Sequence, residues 1–282
     1  MYVEAALRDL EQLKTEYSEQ LMEILRQSKS SLYKAGKLYG YKWVPDEVYI
    51  EDEEWHPGHN LVEVYGFDVE YPDDPAKALT ETCKAIKADI MANRLNRMNY
   101  FDYLIIPSFT FNNKTVFNAI FDLVGFNIFT GNGPNNETIA EKGVTFQLHS
   151  PNMVLDTWNN IANTALRNAC GNTIEQSLGV PLRTIYFHNG EALNNAWVTS
   201  KITFPDEREI SHPVMVGSVV NASSFNPRAI YTYAPQYRYK NCHYWLNNPS
   251  TNAAYASSVD TNGIIQPIDR TRILGCPIEF TI

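Results

Sequence analysis

The chain has 282 residues, 44% of them hydrophobic and 20% charged, the balance of a globular protein of one or two domains rather than of a disordered segment. Its formal net charge of -9 repels a phosphate backbone, which excludes sequence-independent nucleic-acid binding as the main activity. The densest basic stretch, Lys37 to Trp43, is short and reads as a helix end running into a strand.

Residues 2 to about 35 carry Val3, Leu7, Leu10, Tyr17, Leu21, Ile24, Leu25 and Leu32 at three- and four-residue steps, with charges on the other faces. The spacing predicts a long amphipathic helix. Such a helix packs either along its own domain or against neighbouring copies, and the second reading makes Leu7, Leu10, Tyr17, Leu21 and Ile24 subunit-contact candidates. Lys14 and Ser28 interrupt the stripe, which argues against an isolated two-stranded coiled coil. The charges of the first twenty residues also argue against a signal peptide, and no stretch reaches the roughly 18 apolar residues of a membrane span.

An acidic loop, EDEEWHPGHN, comes next, and LVEVYGFDVEY from Leu61 to Tyr71 alternates enough to predict a strand. Asp74 and Pro75 are an N-cap and first-turn pair for a second helix with Leu79, Cys83, Ile86 and Ile90 inward, fading near Asn99. YLIIP at 103–107 reads as a short buried strand, while TVFNAIFDLVGF fits either helix or strand. FTGNGPNNETIAEKG is a polar loop. Ser150 and Pro151 open a third predicted helix through Trp158 and Ile161, with Gly171 near its end. From about Val180 onward the pattern is strand after strand. The expected fold class is therefore α+β: a long N-terminal helix (1–40), a mixed region (41–175) with two further helices, and an antiparallel β-rich half (176–282) that also reads as one domain with the region before it.

Residue clusters with chemical potential are few. Glu51, Glu54, His56 and His59 have the donor types of a divalent-metal site, but a Pro-Gly turn separates the two histidines and consecutive acids more often form a solvated loop. GNGPNN lacks the third glycine of a dinucleotide fingerprint and any following GK[ST]. No GxSxG elbow occurs, and Cys242 and His243, adjacent on a strand, would point to opposite faces. Cys83, Cys170, Cys242 and Cys276 lie far apart without a CxxC pair, and read as free, mostly buried thiols in a reducing compartment. The expectation is no enzyme, no cofactor and no metal.

The stretch AIYTYAPQYRYKNCHYW places Tyr231, Tyr233, Tyr237, Tyr239, His243 and Trp245 on one parity. Cross-strand aromatic pairing explains such a row as sheet core, and tyrosine also suits a subunit contact, so Tyr231, Tyr233, Tyr237, Tyr239 and Trp245 join the contact candidates. A rival reading is a carbohydrate-binding or carbohydrate-cleaving module that stacks sugars on these rings.

The charged N-terminal helix, the acidic total, Asn- and Tyr-rich strands such as FNPRAIYTYAPQYRYKN and the long polar loops together give a texture that resembles the structural proteins of tailed bacteriophage virions. The resemblance implies a neck, collar or tail subunit that joins portal and tail as a homo-oligomeric ring or tube. It further implies a protein made in the host cytoplasm that contacts other virion proteins, lets DNA pass without holding it, and does no chemistry.

Overall fold

The computed structural model describes residues 36–39, 42–45, 58–127, 142–188, 197–210, 240, 242–250, 252 and 254–282. The N-terminal helix, GNGPNN and Tyr231, Tyr233, Tyr237 and Tyr239 lie outside these residues. Within them the fold is α+β, built from helices and largely antiparallel sheets. No helix among the described residues is long and apolar enough to cross a membrane.

β1 (Gly36–Tyr39) and β2 (Lys42–Pro45) form a separate two-stranded hairpin. The expected strand at 61–71 is instead two short helices, α1 (Leu61–Tyr65) and α2 (Phe67–Glu70). Asn60 caps α1 by accepting from the Val62 amide at 3.1 Å, and Gly66 ends it in the left-handed region at φ 77. Leu61 and Tyr65 are the buried pair, at the i, i+4 spacing of one helical turn. In α3 (Pro75–Met91) the expected cap is present: the Asp74 carboxylate accepts from the Lys77 amide at 3.0 Å, and Leu79, Cys83, Ile86 and Ile90 face inward. The helix stops at Met91, well before Asn99, because Asn93 turns left-handed at φ 56.

β3 (Tyr103–Phe111) and β4 (Lys114–Phe126) resolve the ambiguous TVFNAIFDLVGF as strand. Asn112 and Asn113, both at positive φ, make the two-residue turn between them, a conformation that asparagine tolerates. β5 (Val144–Leu148) follows β4 in the same sheet. The expected third helix is broken into four pieces: a 3-10 turn at Pro151–Met153, β6 (Leu155–Asp156), α4 (Trp158–Ile161) and α5 (Thr164–Leu178). Asn163 restarts the helix by accepting from the Ala165 and Leu166 amides. Gly171 lies inside α5, where a β-carbon would come within 2.4 Å of Lys201, and Gly179 forms the C-cap.

The remaining elements are the hairpin β7 (Ile185–His188) and β8 (Trp197–Ser200), then β9 (Ile202–Thr203), α6 (Glu207–Ile210), β10 (Tyr244–Pro249), β11 (Tyr255–Val259), β12 (Ile265–Asp269), β13 (Leu274–Gly275) and β14 (Glu279–Thr281). One five-stranded sheet has the order β12-β11-β10-β13-β6, and the other β3-β4-β5-β14-β9. Both draw strands from either side of residue 175.

On the inner face of the second sheet Phe280 stacks on Phe146 at 5.5 Å and meets Phe121 at a tilt at 5.1 Å, with Ile202 and Leu148 beside them in one core. Helix α5 lies along β3, the edge strand of that sheet. Thr173 Oγ1 accepts from the Thr110 amide at 2.9 Å, and Ser177 Oγ donates to the Ser108 carbonyl, so side chains one turn apart satisfy an edge that would otherwise invite another strand. The other edge, β9, is two residues long.

Within the first sheet Trp245 Nε1 on β10 donates to the Asp156 carbonyl on β6 at 2.9 Å, and Trp158 Nε1 on α4 donates to the Leu246 carbonyl on β10 at 3.0 Å, which fastens α4 to that sheet. Arg167, buried in α5, donates to Asn247 Oδ1 at 2.7 Å and lies over the Phe204 ring.

Candidate functional site

The face of the second sheet opposite the phenylalanines is polar, yet buried. Asp122 on β4 pairs with Gln147 on β5, Gln147 with Glu279 on β14, and Glu279 with Thr203 on β9, a continuous row across four strands. None of these residues exceeds 3% exposure. Buried polar atoms are tolerated when bonded, and here Gln147 Nε2 donates to Glu279 Oε1 at 2.7 Å while the Thr145 and Thr281 hydroxyls meet at 2.9 Å.

At the β3 side of this row His149 Nδ1 lies 2.8 Å from Asp122 Oδ2, both side chains buried. An ionised Asp122 accepts from Nδ1–H and so selects the tautomer whose Nε2 is basic. Lys240 belongs to the same neighbourhood: burial pushes its ammonium down to about 8, against the nearby Asp122 charge, which favours the protonated form. A buried His–Asp contact of this kind is by itself a structural hydrogen bond. A nucleophilic site needs more, a hydroxyl or thiol within hydrogen-bond reach of the base. Ser150 follows His149 and lines the same groove, but Cys242, half-buried, has its thiol pushed up to about 11 by burial.

That groove, about 190 Å³, is bounded by Asn118, Ile120, His149, Ser150 and Met153. It is smaller than the ~300 Å³ at which ligand pockets usually begin. Asn118 also borders a second groove of about 340 Å³ on the β3 side, with Val62, Asp68, Pro72, Leu79, Ile105 and Pro107 around it. Both grooves of this trough border Asn118 on the β3–β4 pair. Its surroundings expose apolar side chains: Ile105 is 38% exposed, Phe117 66%, Met153 42% and Leu155 43%. The hairpin tip ties these elements together, since Lys114 Nζ donates to the Leu155 carbonyl and Asn112 Nδ2 donates to Asp156 Oδ2 at 2.7 Å. Asp156 also accepts from Asn160 and from the Thr157 amide. Burial works against that carboxylate, but these bonds and Lys114 outweigh it and hold the group below its ordinary value.

The sequence-derived candidates fall differently. Glu51, Glu54 and His56 lie outside the described residues, as do Leu7, Leu10, Tyr17, Leu21 and Ile24. His59 is held in a local clamp, its amide and Nδ1 both 3.0 Å from Asp102 Oδ1, and that buried carboxylate also accepts from the Asn99 amide at 2.6 Å. Among the described residues no group of three or more His, Cys, Asp or Glu side chains could hold a metal ion. Trp245 is fully buried, so its ring presents no surface to a subunit or a sugar. All four cysteines are free; Cys83, Cys170 and Cys276 are buried, with thiols pushed up by burial.

The buried polar row escaped sequence reasoning although its signal was present. Thr145, Gln147 and His149 alternate with Val144, Phe146 and Leu148, and Glu279 and Thr281 with Ile278 and Phe280, which reads as a solvent face until the second layer is known. Comparison of the chain with protein-family models, with curated proteins and with solved structures finds no match.

Proposed function

We propose that the chain is a non-enzymatic structural subunit of a large homo-oligomeric assembly, a neck, collar or tail component of a tailed-phage virion that joins portal and tail. The observation that carries the assembly reading is the trough at Asn118 and the exposed apolar side chains around it, Ile105, Phe117, Met153 and Leu155. Apolar side chains grouped around a groove mark a contact surface more often than singly scattered ones do. Covering the part of each that is still exposed contributes about 0.5–2 kcal/mol, a fraction of the value for burying a whole side chain. The phage assignment is supported by the resemblance of the sequence texture, and the net charge of -9 suits a conduit that lets DNA slide past.

The test is the absolute mass of the purified protein by light scattering across a concentration series. The expected result is a defined closed oligomer, or reversible growth toward one, with Phe117→Asp shifting the population toward monomer. A monomer at every concentration that also binds no virion protein overturns the reading.

A further inference from the structure

Among the described residues, strand β3 is met by neighbours at both ends but not between them. The Tyr103 amide donates outward to the His59 carbonyl at 2.9 Å, and Ser108 and Thr110 are met by α5. In an antiparallel ladder alternate residues turn their backbone groups to opposite edges, so Ile105 aims its N–H and C=O outward as Tyr103 does. Pro107, which has no N–H to offer, occupies the edge position next to it.

The groove beside Ile105 is apolar, with Val62, Pro72, Leu79 and Pro107 in its walls, and the charged side chain at its rim is Asp68. Residues 60–74, which supply α1, α2 and the turn into α3, hold five acids and no lysine or arginine. Lys77, just beyond, lies over the Tyr71 ring at 4.2 Å.

One segment of the chain answers this surface in both charge and backbone. Residues 34–45 carry Lys34, Lys37 and Lys42 and no acid, within a chain of net charge -9. The strands they form, β1 and β2, pair with each other and join neither five-stranded sheet. A two-stranded hairpin is marginal alone and gains from a further strand.

We propose that the open edge of β3 at Ile105 receives the Gly36–Pro45 hairpin of a second copy of this chain, an inference that rests on the homo-oligomeric reading above. Strand addition supplies the backbone pairing, and the positive charge of this segment suits the acidic wall. Two different surfaces of one chain that complement each other form a head-to-tail interface, the kind that closes into rings.

The test uses the full chain in a Cys242→Ser background, with Leu38→Cys on one preparation and Ile105→Cys on another. The two are mixed and treated with a short bismaleimide. The expected product is a covalent dimer of one copy of each, with a yield that drops about fivefold on adding Asp68→Lys to the Ile105→Cys chain at low salt, the scale of one rim ion pair. Asp68 is exposed on α2, so this substitution leaves the core intact. Oligomers by light scattering without that dimer overturn the hairpin docking and leave the assembly reading standing. Cross-linking within one chain, in a double variant diluted until monomeric, overturns the second copy as the occupant. A monomer at every concentration, with no cross-link, overturns both.

Discussion

Pro107 and Asn118 face each other across β3 and β4, between the pairs Ile106–Ala119 and Ser108–Phe117, and at this point both strands exchange their inner and outer faces. On β3 the buried residues are Leu104 and Ile106 before the pair and Phe109 and Phe111 after it; on β4 they are Val116 before and Ala119 and Phe121 after. The register never slips, because both strands change phase together. Asn118 achieves this in the left-handed region at φ 50, and Pro107 sits where its missing N–H costs no ladder bond.

Asn118 is therefore expected to accept glycine with a change within about 0.5 kcal/mol, whereas Asn118→Val costs about 1–3 kcal/mol, since a β-branched residue is strained at positive φ. Urea denaturation of the two variants checks this. Equal stability of both would show that the left-handed conformation is not retained in solution.

Asp156 couples the β3–β4 hairpin tip to β6 and α4 through Asn112, Asn160 and the Thr157 amide. Its carboxyl is held below the ordinary value, so its contribution to stability is present above the unfolded-state pKa of about 3.9 and is lost as the pH falls through the lower, folded value. Asp156→Ala should cost about 3 kcal/mol at pH 6, the scale of losing charged hydrogen bonds. The gap between variant and wild type should narrow below about pH 4. A gap that stays constant with pH contradicts this account.

Lys240 gives a dependence of the same sign in the alkaline range, because its pKa is also lowered on folding. Burial places its folded pKa at about 8, below the ordinary lysine value of 10.5, so between those values the unfolded chain binds the extra proton and stability attributable to this group rises with pH. Wild type should gain on Lys240→Met as the pH goes from 8 to 10.5. Comparing the two proteins cancels the buried thiols, whose raised pKa values act in the other direction. If the difference is flat, Lys240 is solvated in the folded protein.

What was legible in the sequence followed local rules. Asp74 and Pro75 announced α3 because capping is decided within one turn, and the stripe from Leu79 to Ile90 matched the observed inner face. Leu61 to Tyr71 misled because Leu61, Val62, Val64 and Tyr65 fit alternation and helical spacing alike, and the choice was made by Asn60 and by Gly66 at φ 77. The helix expected from Ser150 failed because Asp156, with Asn112 and Asn160, organises a turn through contacts 44 residues apart in one case and four in the other. The trough was not legible at all. It depends on strands and helices meeting at Asn118, and no local pattern marks that meeting.

The last two strands occupy inner positions: Leu274–Gly275 lies between β10 and β6, Glu279–Thr281 lies between β5 and β9, and residues 276–278 carry the chain from one sheet to the other. While the ribosome still holds these few residues, a nascent chain has two sheets each split down the middle, with bare strand edges on both sides of the gap. Neither sheet can close before these strands have emerged, and the interval before they arrive is when a chaperone, or another nascent copy, finds the chain most receptive.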